Sequence, residues 1–297
     1  MIILGINAYH GDASAALVVD GKLIAAAEEE RFTRVKHQAG FPTYAIRYCL
    51  KSAGIRPEEL DQIAISRNPR AHLYKKIIFA LSRGPSSALL KNRLTNVARM
   101  RDIRGTLSET LEVNSEKLKA EVQYVEHHRA HLASCFFVSP FEEAALLSVD
   151  GFGDFVSTMW GVGQGNRIEI HGWVEFPHSL GILYTAVTQY LGFLRYGDEY
   201  KVMGLAAYGE PVYLEEFRRI LKLSRGMGFA LDLSYFVHQR DGASMTWASG
   251  EPTLSDAFSA KLIERFGPRR LPTDAIEKRH QDLAASLQAV LEEAVFH

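Results

Sequence analysis

A chain of 297 residues with 47% hydrophobic and 23% charged side chains has enough apolar surface to close one large core or two moderate ones, which excludes a wholly disordered chain. A formal net charge of -1 at pH 7 and a pI near 6.8 supply no global attraction to nucleic acid or to an anionic membrane, and no uncharged run is long enough to span a bilayer. The two cysteines, Cys49 and Cys135, exclude a disulfide framework; both lie in apolar helical patterns, read as small core residues and fit a reducing compartment.

The opening run Met1-Ile2-Ile3-Leu4-Gly5-Ile6-Asn7 carries no basic leader and no cleavage pattern, so the cytoplasm is the expected location. Ile2 to Asn7 reads as a buried strand, Ser14 to Val19 as a second and Lys22 to Ala27 as a third, with Asp20-Gly21 as the two-residue hairpin turn. The loop from Ala8 to Ala13 holds His10, Gly11 and Asp12: an imidazole, a glycine that lets backbone approach a ligand, and a carboxylate. These are also ordinary turn residues, so the loop alone supports a structural reading and a functional one equally. Pro42 to Ala53 has helical spacing and stops at Gly54, and Asp61 to Ser66 reads as a short buried strand. Ala71 to Leu81 and Ser86 to Leu111 are expected as two basic helices broken at Gly84-Pro85. Arg70, Lys75, Lys76, Arg83, Lys91, Arg93, Arg99 and Arg101, with the single acid Asp102, lie between Arg67 and Arg104, as a solvated helical face or a surface for a partner or phosphate. The chain then passes to a strand at Val122 to Val125, and the boundary between two lobes is expected near Glu116.

Next comes Val125-Glu126-His127-His128-Arg129-Ala130-His131. If the helix begins near His127, then His127 and His131 stand one turn apart, about 6 Å along the axis, on one face. Such a pair is either a set of packed or solvated imidazoles or a grip on one metal ion. Asp150, at the end of the next apolar run, can complete two imidazoles and a carboxylate, a set suited to a divalent ion with open positions. A zinc-protease helix needs Glu directly after the first His, and His128 stands there.

Ala144 to Val149, the Gly- and Asp-rich loop Asp150 to Asp154, Val156 to Val162, the turn at Gly163 to Asn166 and Arg167 to Trp173 repeat the strand, loop, hairpin order of the first thirty residues. This weak repeat predicts two related lobes whose acidic, glycine-bearing loops suit phosphate and metal. Phe176 to Gly181 introduces a helix that runs through Leu191 and ends at Gly192. Lys201 stands in a segment with glycines at 197, 204 and 209, as a phosphate or acyl-phosphate contact or as a surface lysine. Between Arg240 and Gly267 no chemistry is legible; Trp247, Phe258 and Phe266 read as anchors of a packed insertion. Leu283, Leu287, Val290, Leu291 and Ala294 predict an amphipathic helix from Arg279 to Phe296 that runs into the last residue with no stop signal, so the natural chain is expected to continue.

The segments L-G-I-N-A-Y-H-G-D-A-S-A-A-L, E-E-E-R-F-T-R-V-K-H from Glu28 to His37, E-H-H-R-A-H, S-V-D-G-F-G-D and D-E-Y-K-V-M-G-L-A-A-Y-G together resemble the N-terminal part of the carbamoyltransferases of the nodulation-protein U and antibiotic O-carbamoyltransferase type, over the whole chain. The resemblance implies an α/β fold of actin, sugar kinase and Hsp70-like (ribonuclease H-like) lobes, the N-terminal portion of a two-lobed Kae1-like domain. Residues 1–116 would form the first lobe and 117–297 an incomplete second lobe, with a YrdC-like domain outside this chain. It implies a reaction in two stages. Carbamoyl adenylate is made from carbamoyl phosphate and ATP in the YrdC-like domain, and the carbamoyl group then passes to a hydroxyl of a small-molecule or natural-product acceptor.

The resemblance further implies iron(II), or another divalent metal, on His127, His131 and Asp150. A fourth ligand, an aspartate further downstream, would lie beyond His297, so this chain alone is expected to hold metal less tightly and to be inactive by itself. His10 is the candidate general base and Asp12 its orienting group or an acceptor contact. Gly151, Gly153 and Asp154 are candidates for the phosphate loop of ATP or carbamoyl adenylate, with Lys201 a lesser ligand contact. A homodimer is compatible with this reading, and neither membrane nor nucleic acid is expected as a partner. A Kae1-like factor for threonylcarbamoyl transfer to tRNA and a small-molecule kinase of the same fold are the alternatives.

Overall fold

The computed structural model of the chain describes residues 1–83, 102–241, 245–246 and 252–297. The break expected at Gly84-Pro85, the helix start at Ser86, the basic residues Lys91, Arg93, Arg99 and Arg101, and the anchor Trp247 lie outside the described residues. The chain forms two compact units, one of Met1–Ser134 with Trp247–Pro252, the other of Cys135–Thr246 with Thr253–His297. Among the described residues, no helix is long and apolar enough to cross a membrane.

In the first unit, β1 (Ile2–Asn7), β2 (Ser14–Val19) and β3 (Lys22–Glu28) form the antiparallel meander that the sequence predicts. Asp20 and Gly21 turn the hairpin at φ 49° and 79°, the left-handed values a two-residue turn requires. A short helix, α1 (Glu30–Thr33), and a longer one, α2 (Thr43–Ala53), lead to β4 (Gln62–Ile65), which lies parallel to β1. Helices α3 (Leu73–Arg83) and α4 (Ile103–Leu111) precede β5 (Glu121–Tyr124), parallel to β4. The order β3-β2-β1-β4-β5 is the ribonuclease H-like arrangement that the resemblance implies. Because β5 pairs with β4, residues after Glu116 complete the first sheet, and the division between units falls at Ser134 and Cys135.

Period-two alternation places Leu4, Ile6, Ala15, Leu17, Ile63 and Ile65 in one core, against Ala45, Ile46, Cys49 and Leu50 of α2. The start of α2 has no cap of its own: Pro42 precedes it without a side-chain hydrogen bond. Glu29 supplies one from a distance. Only 4% exposed, its carboxylate accepts the backbone N–H groups of Tyr44 at 3.1 Å and Ala45 at 2.8 Å. A buried carboxylate is tolerated there because two donors and the positive end of the helix offset its lost hydration.

In the second unit, β6 (Glu143–Gly153), β7 (Val156–Gln164) and β8 (Arg167–Glu175) form a three-stranded antiparallel sheet in that order. Of the residues expected as the loop 150–154, 150–153 are strand instead. Strand β6 continues to Gly153 after a register step beyond Val149, and Asp154-Phe155 turn directly into β7 at φ 50° and 79°. Helix α5 (His127–Phe136) joins the two units in sequence, and α6 (Leu180–Tyr190) packs Leu183, Val187 and Tyr190 into the second core. The last helix, Lys278–Phe296, buries Leu283, Leu287 and Val290 as its pattern predicts, and Phe258 and Phe266 anchor the same core. Cys49 is buried, and burial pushes its thiol up; Cys135 is exposed and is not the core residue its pattern suggested.

Two histidines of the second unit, His178 half-buried and His280 buried, serve as acceptors. His178 Nδ1 takes the Leu231 N–H at 3.1 Å, and His280 Nδ1 takes the Glu277 N–H at 2.9 Å at the start of the last helix. Burial pushes both below the ordinary value of 6.5, with Arg279 adding to the effect at His280. The unfolded chain therefore binds protons on them at a pH where the fold does not. Their stabilising contribution is present above about pH 6.5 and is lost as pH falls toward the lowered folded value. Thermal unfolding followed from about pH 8 to 5 should show Tm falling on the acid side, with a shallower fall in His178→Asn. In the first unit, Glu29→Ala should lower the unfolding free energy by about 2 kcal/mol in denaturant melts, through the two orphaned N–H groups.

Candidate functional site

In the first unit the loop after β1 is held by backbone bonds to the segment that follows α1. Tyr9 N–H donates to Gly40 O at 2.9 Å, Ala13 N–H to Gln38 O at 2.9 Å and Asp12 N–H to His37 O at 3.4 Å. Tyr9 and Asp12 take φ values of 65° and 58°, a strain that these bonds hold in place. The Asp12 carboxylate meets His37: His37 Nδ1 lies 2.7 Å from Asp12 Oδ1, and the His37 N–H donates to Glu30 Oε2 at 2.7 Å. One donor atom each from Asp12, Glu30 and His37 lies within 4.8 Å of the others. His37 and Glu30 belong to the segment that marked the resemblance, but no local spacing assigned them a contact with Asp12.

His10 stands beside His127, with ring centroids 6.1 Å apart in an edge-on orientation. His127 is the first residue of α5 and 9% exposed. Its Nδ1 faces the carbonyl of Ser66 at 3.3 Å; a carbonyl only accepts, so Nδ1 carries the proton and Nε2 is the electron-pair-bearing nitrogen of the ring. Ser66 follows β4, and its hydroxyl donates to Asn7 Oδ1 at 2.9 Å, while Asn7 Nδ2 donates to Asp12 O at 2.8 Å. One turn along α5, His131 brings its Nε2 to 3.0 Å from that of His127, with ring centroids 4.5 Å apart. Two nitrogens each about 2.1 Å from one ion, at a right angle, stand about 3 Å apart, so this pair fits a shared divalent metal. The carbonyl behind His127 is the kind of outer partner that fixes a ligand's ring and tautomer.

In the second unit, Asp150 is half-buried near the end of β6, and its Oδ1 accepts the Gly151 N–H at 2.6 Å. The carbonyls of Asp150 and Gly151 lie 3.1 and 2.7 Å from the Ser179 hydroxyl, which also caps α6 by accepting the Ile182 N–H at 3.1 Å. The strand end carrying the carboxylate is thereby tied to a helix start. Gly151 and Gly153 are strand residues in the irregular step of β6, and Asp154 is buried in the turn that follows. Lys201 lies in α7 (Glu199–Ala206) and pairs with the buried carboxylate of Asp198 at 2.6 Å, its ammonium also 5.7 Å from the Phe193 ring centroid.

A family model described as Carbamoyltransferase N-terminus matches residues 2–297. The chain belongs to that family. The uncharacterized protein sll1178 of Synechocystis sp. is 40% identical over 304 residues, spanning 99% of this chain and 47% of that protein. Nodulation protein NolNO of Sinorhizobium fredii is 33% identical over 295 residues, spanning 98% of this chain and 38% of that protein. The chain thus spans less than half the length of these two relatives. Among solved structures, YeaZ from Pseudomonas aeruginosa superposes with a TM-score of 0.29 at 18% identity over 59% of this chain and 67% of its own. HypF of T. kodakarensis gives 0.33 at 12% identity over 99% of this chain and 38% of its own.

The second residue of α6, Gly181, tests the contact between that helix and the strand end. Gly to Ala inside a helix ordinarily gains about 1 kcal/mol, but an ideal Cβ at position 181 would stand 2.6 Å from the carbonyl oxygen of Asp150. Backbone cannot swing aside as a side chain does. Gly181→Ala should therefore lower Tm, where Gly204→Ala in α7, with open space at its Cβ position, should leave it unchanged or raise it.

Proposed function

We propose that this chain is the transfer region of an O-carbamoyltransferase, in which His127, His131 and Asp150 hold iron(II) or another divalent metal. The carbamoyl donor is carbamoyl adenylate, made from carbamoyl phosphate and ATP elsewhere in the complete protein, and the acceptor is a hydroxyl of a small molecule or natural product. The observation that carries the metal reading is the 3.0 Å approach of the two Nε2 atoms, with His127 fixed from behind by the Ser66 carbonyl. Membership of the carbamoyltransferase family supports the reaction class.

When bound, the metal supplies positive charge that stabilises the oxyanion and the leaving phosphate. His10 accepts the proton of the acceptor hydroxyl as its oxygen adds to the carbamoyl carbon; the carbon–oxygen bond to the adenylate phosphate then breaks and AMP leaves. Asp12, held by His37 and by the Asn7 amide on its carbonyl, contributes a fixed carboxylate for contact with the acceptor. Gly151, Gly153 and Asp154 lie on the nucleotide side of the assignment, and Lys201, already tied to Asp198, is the lesser contact.

Elemental analysis of the purified chain should find close to one equivalent of divalent metal, lost in His131→Ala; unchanged metal content in that variant would refute the ligand assignment. In the full-length gene product, supplied with carbamoyl phosphate, ATP and a panel of hydroxyl acceptors, His10→Asn should retain metal yet lower kcat by about 100-fold or more. Full turnover in that variant would remove His10 from the proton transfer.

A further inference from the structure

The proposed ligands occupy the wrong end of a helix for a cation. Helix α5 starts at His127, and the N-terminal turn of a helix carries about half a positive charge from its unsatisfied N–H groups. A divalent ion held by His127 in the first turn and His131 in the second is repelled by that end. The residue immediately before the helix answers this charge. Glu126 is 9% exposed, and its carbonyl accepts the first helical bond, from the Ala130 N–H at 2.9 Å. Its carboxylate is shared between two backbone donors, Oε1 taking the His128 N–H at 3.1 Å and Oε2 the Arg129 N–H at 2.8 Å.

Glutamate is not among the residues favoured at this position. Serine, threonine, asparagine or aspartate satisfies the same donors with a shorter side chain, and the neutral ones do so without burying a charge. We infer that Glu126 is a positioning residue for the metal: its buried carboxylate cancels the positive end of α5, so that His127 and His131 can hold a divalent cation there. The inference rests on the ligand assignment proposed above and acts through the helix, since Glu126 is bonded to backbone and is not itself assigned as a ligand. Glu29 caps α2 with the same two-oxygen geometry where no ligand has been assigned, so hydrogen bonding alone does not separate a charge role from a capping role.

Glu126→Asp and Glu126→Asn separate them, because the two side chains cap helices about equally well and differ in charge. Each variant and the wild-type chain would be melted metal-free and titrated with cobalt(II), read by its d–d absorption. Metal-free Tm values of the two variants should agree within about 2 °C, with cobalt(II) binding about tenfold weaker in the Asn variant than in the Asp variant. Glu126→Gln, which keeps the side-chain length, should show the same loss against wild type. Equal cobalt(II) affinity in Asp and Asn variants, with wild type binding normally, would overturn the charge role and leave Glu126 as a cap. No cobalt(II) binding by the wild-type chain would instead bring down the ligand assignment itself, and this inference with it.

Discussion

The parallel pairing of β1 with β4 and of β4 with β5 is the constraint on which the first unit's share of the site depends. Ile6 lies opposite Ile65, and Ile65 opposite Tyr124, so three strands end level with one another. The residues next after those paired positions are Asn7, the last of β1, and Ser66 and Val125, and the Val125 N–H still bonds to Ile65 O at 2.8 Å. Carboxyl ends of parallel strands leave backbone and side-chain polar groups that the ladder no longer uses, which is why ligands collect there in open α/β sheets. Here those groups are spent on positioning. Asn7 bridges the Ser66 hydroxyl and the Asp12 carbonyl, and the Ser66 carbonyl sets the tautomer of His127. A slip of one residue between β1 and β4 would invert the sheet faces and separate Asn7 from Ser66 together.

Carboxylates at helix starts are the second recurring device. Glu29 and Glu126 each meet two backbone N–H groups, and each is nearly fully buried. Charge-assisted bonds of this kind are about twice as strong as neutral ones, which offsets much of the desolvation of the ion. In the run Glu28-Glu29-Glu30-Arg31 the three acids have different fates. Glu28 pairs with Arg31 on the surface, Glu29 caps α2, and Glu30 holds the backbone of His37 against Asp12. Second-unit capping is neutral at the corresponding place, where the Ser179 hydroxyl starts α6 and reaches the end of β6.

The amount of this legible in sequence follows from the range of each interaction. Ile2 to Asn7, Ser14 to Val19 and the turn at Asp20-Gly21 are local, since alternation and a left-handed pair of turn residues act within a few positions. The approach of His127 and His131 is also local, because one helical turn dictates it. Contacts across long stretches left no local mark. Asp12 meets a histidine twenty-five residues away, Glu29 caps a helix that starts beyond an intervening segment, and His127 leans on Ser66 sixty-one residues earlier. The place of β5 is likewise set at long range: it is a four-residue strand, and only its pairing with β4 assigns it to the first sheet.

The two strand, turn, hairpin units are related in order but not in the ends of their first strands. In the first, β1 stops at Asn7 and a six-residue loop with two left-handed residues carries His10 and Asp12 outward from the ladder. In the second, β6 steps through Asp150 and Gly151 and stays paired until Gly153, so its carboxylate is presented by an irregular strand whose amide at Gly151 bonds to the same carboxylate. A loop suits groups that must adapt to different acceptors, while a strand end braced by Ser179 suits a group whose position must not change. That contrast matches the proposed division of labour, with adaptable acceptor contacts on the first loop and a fixed ligand on β6.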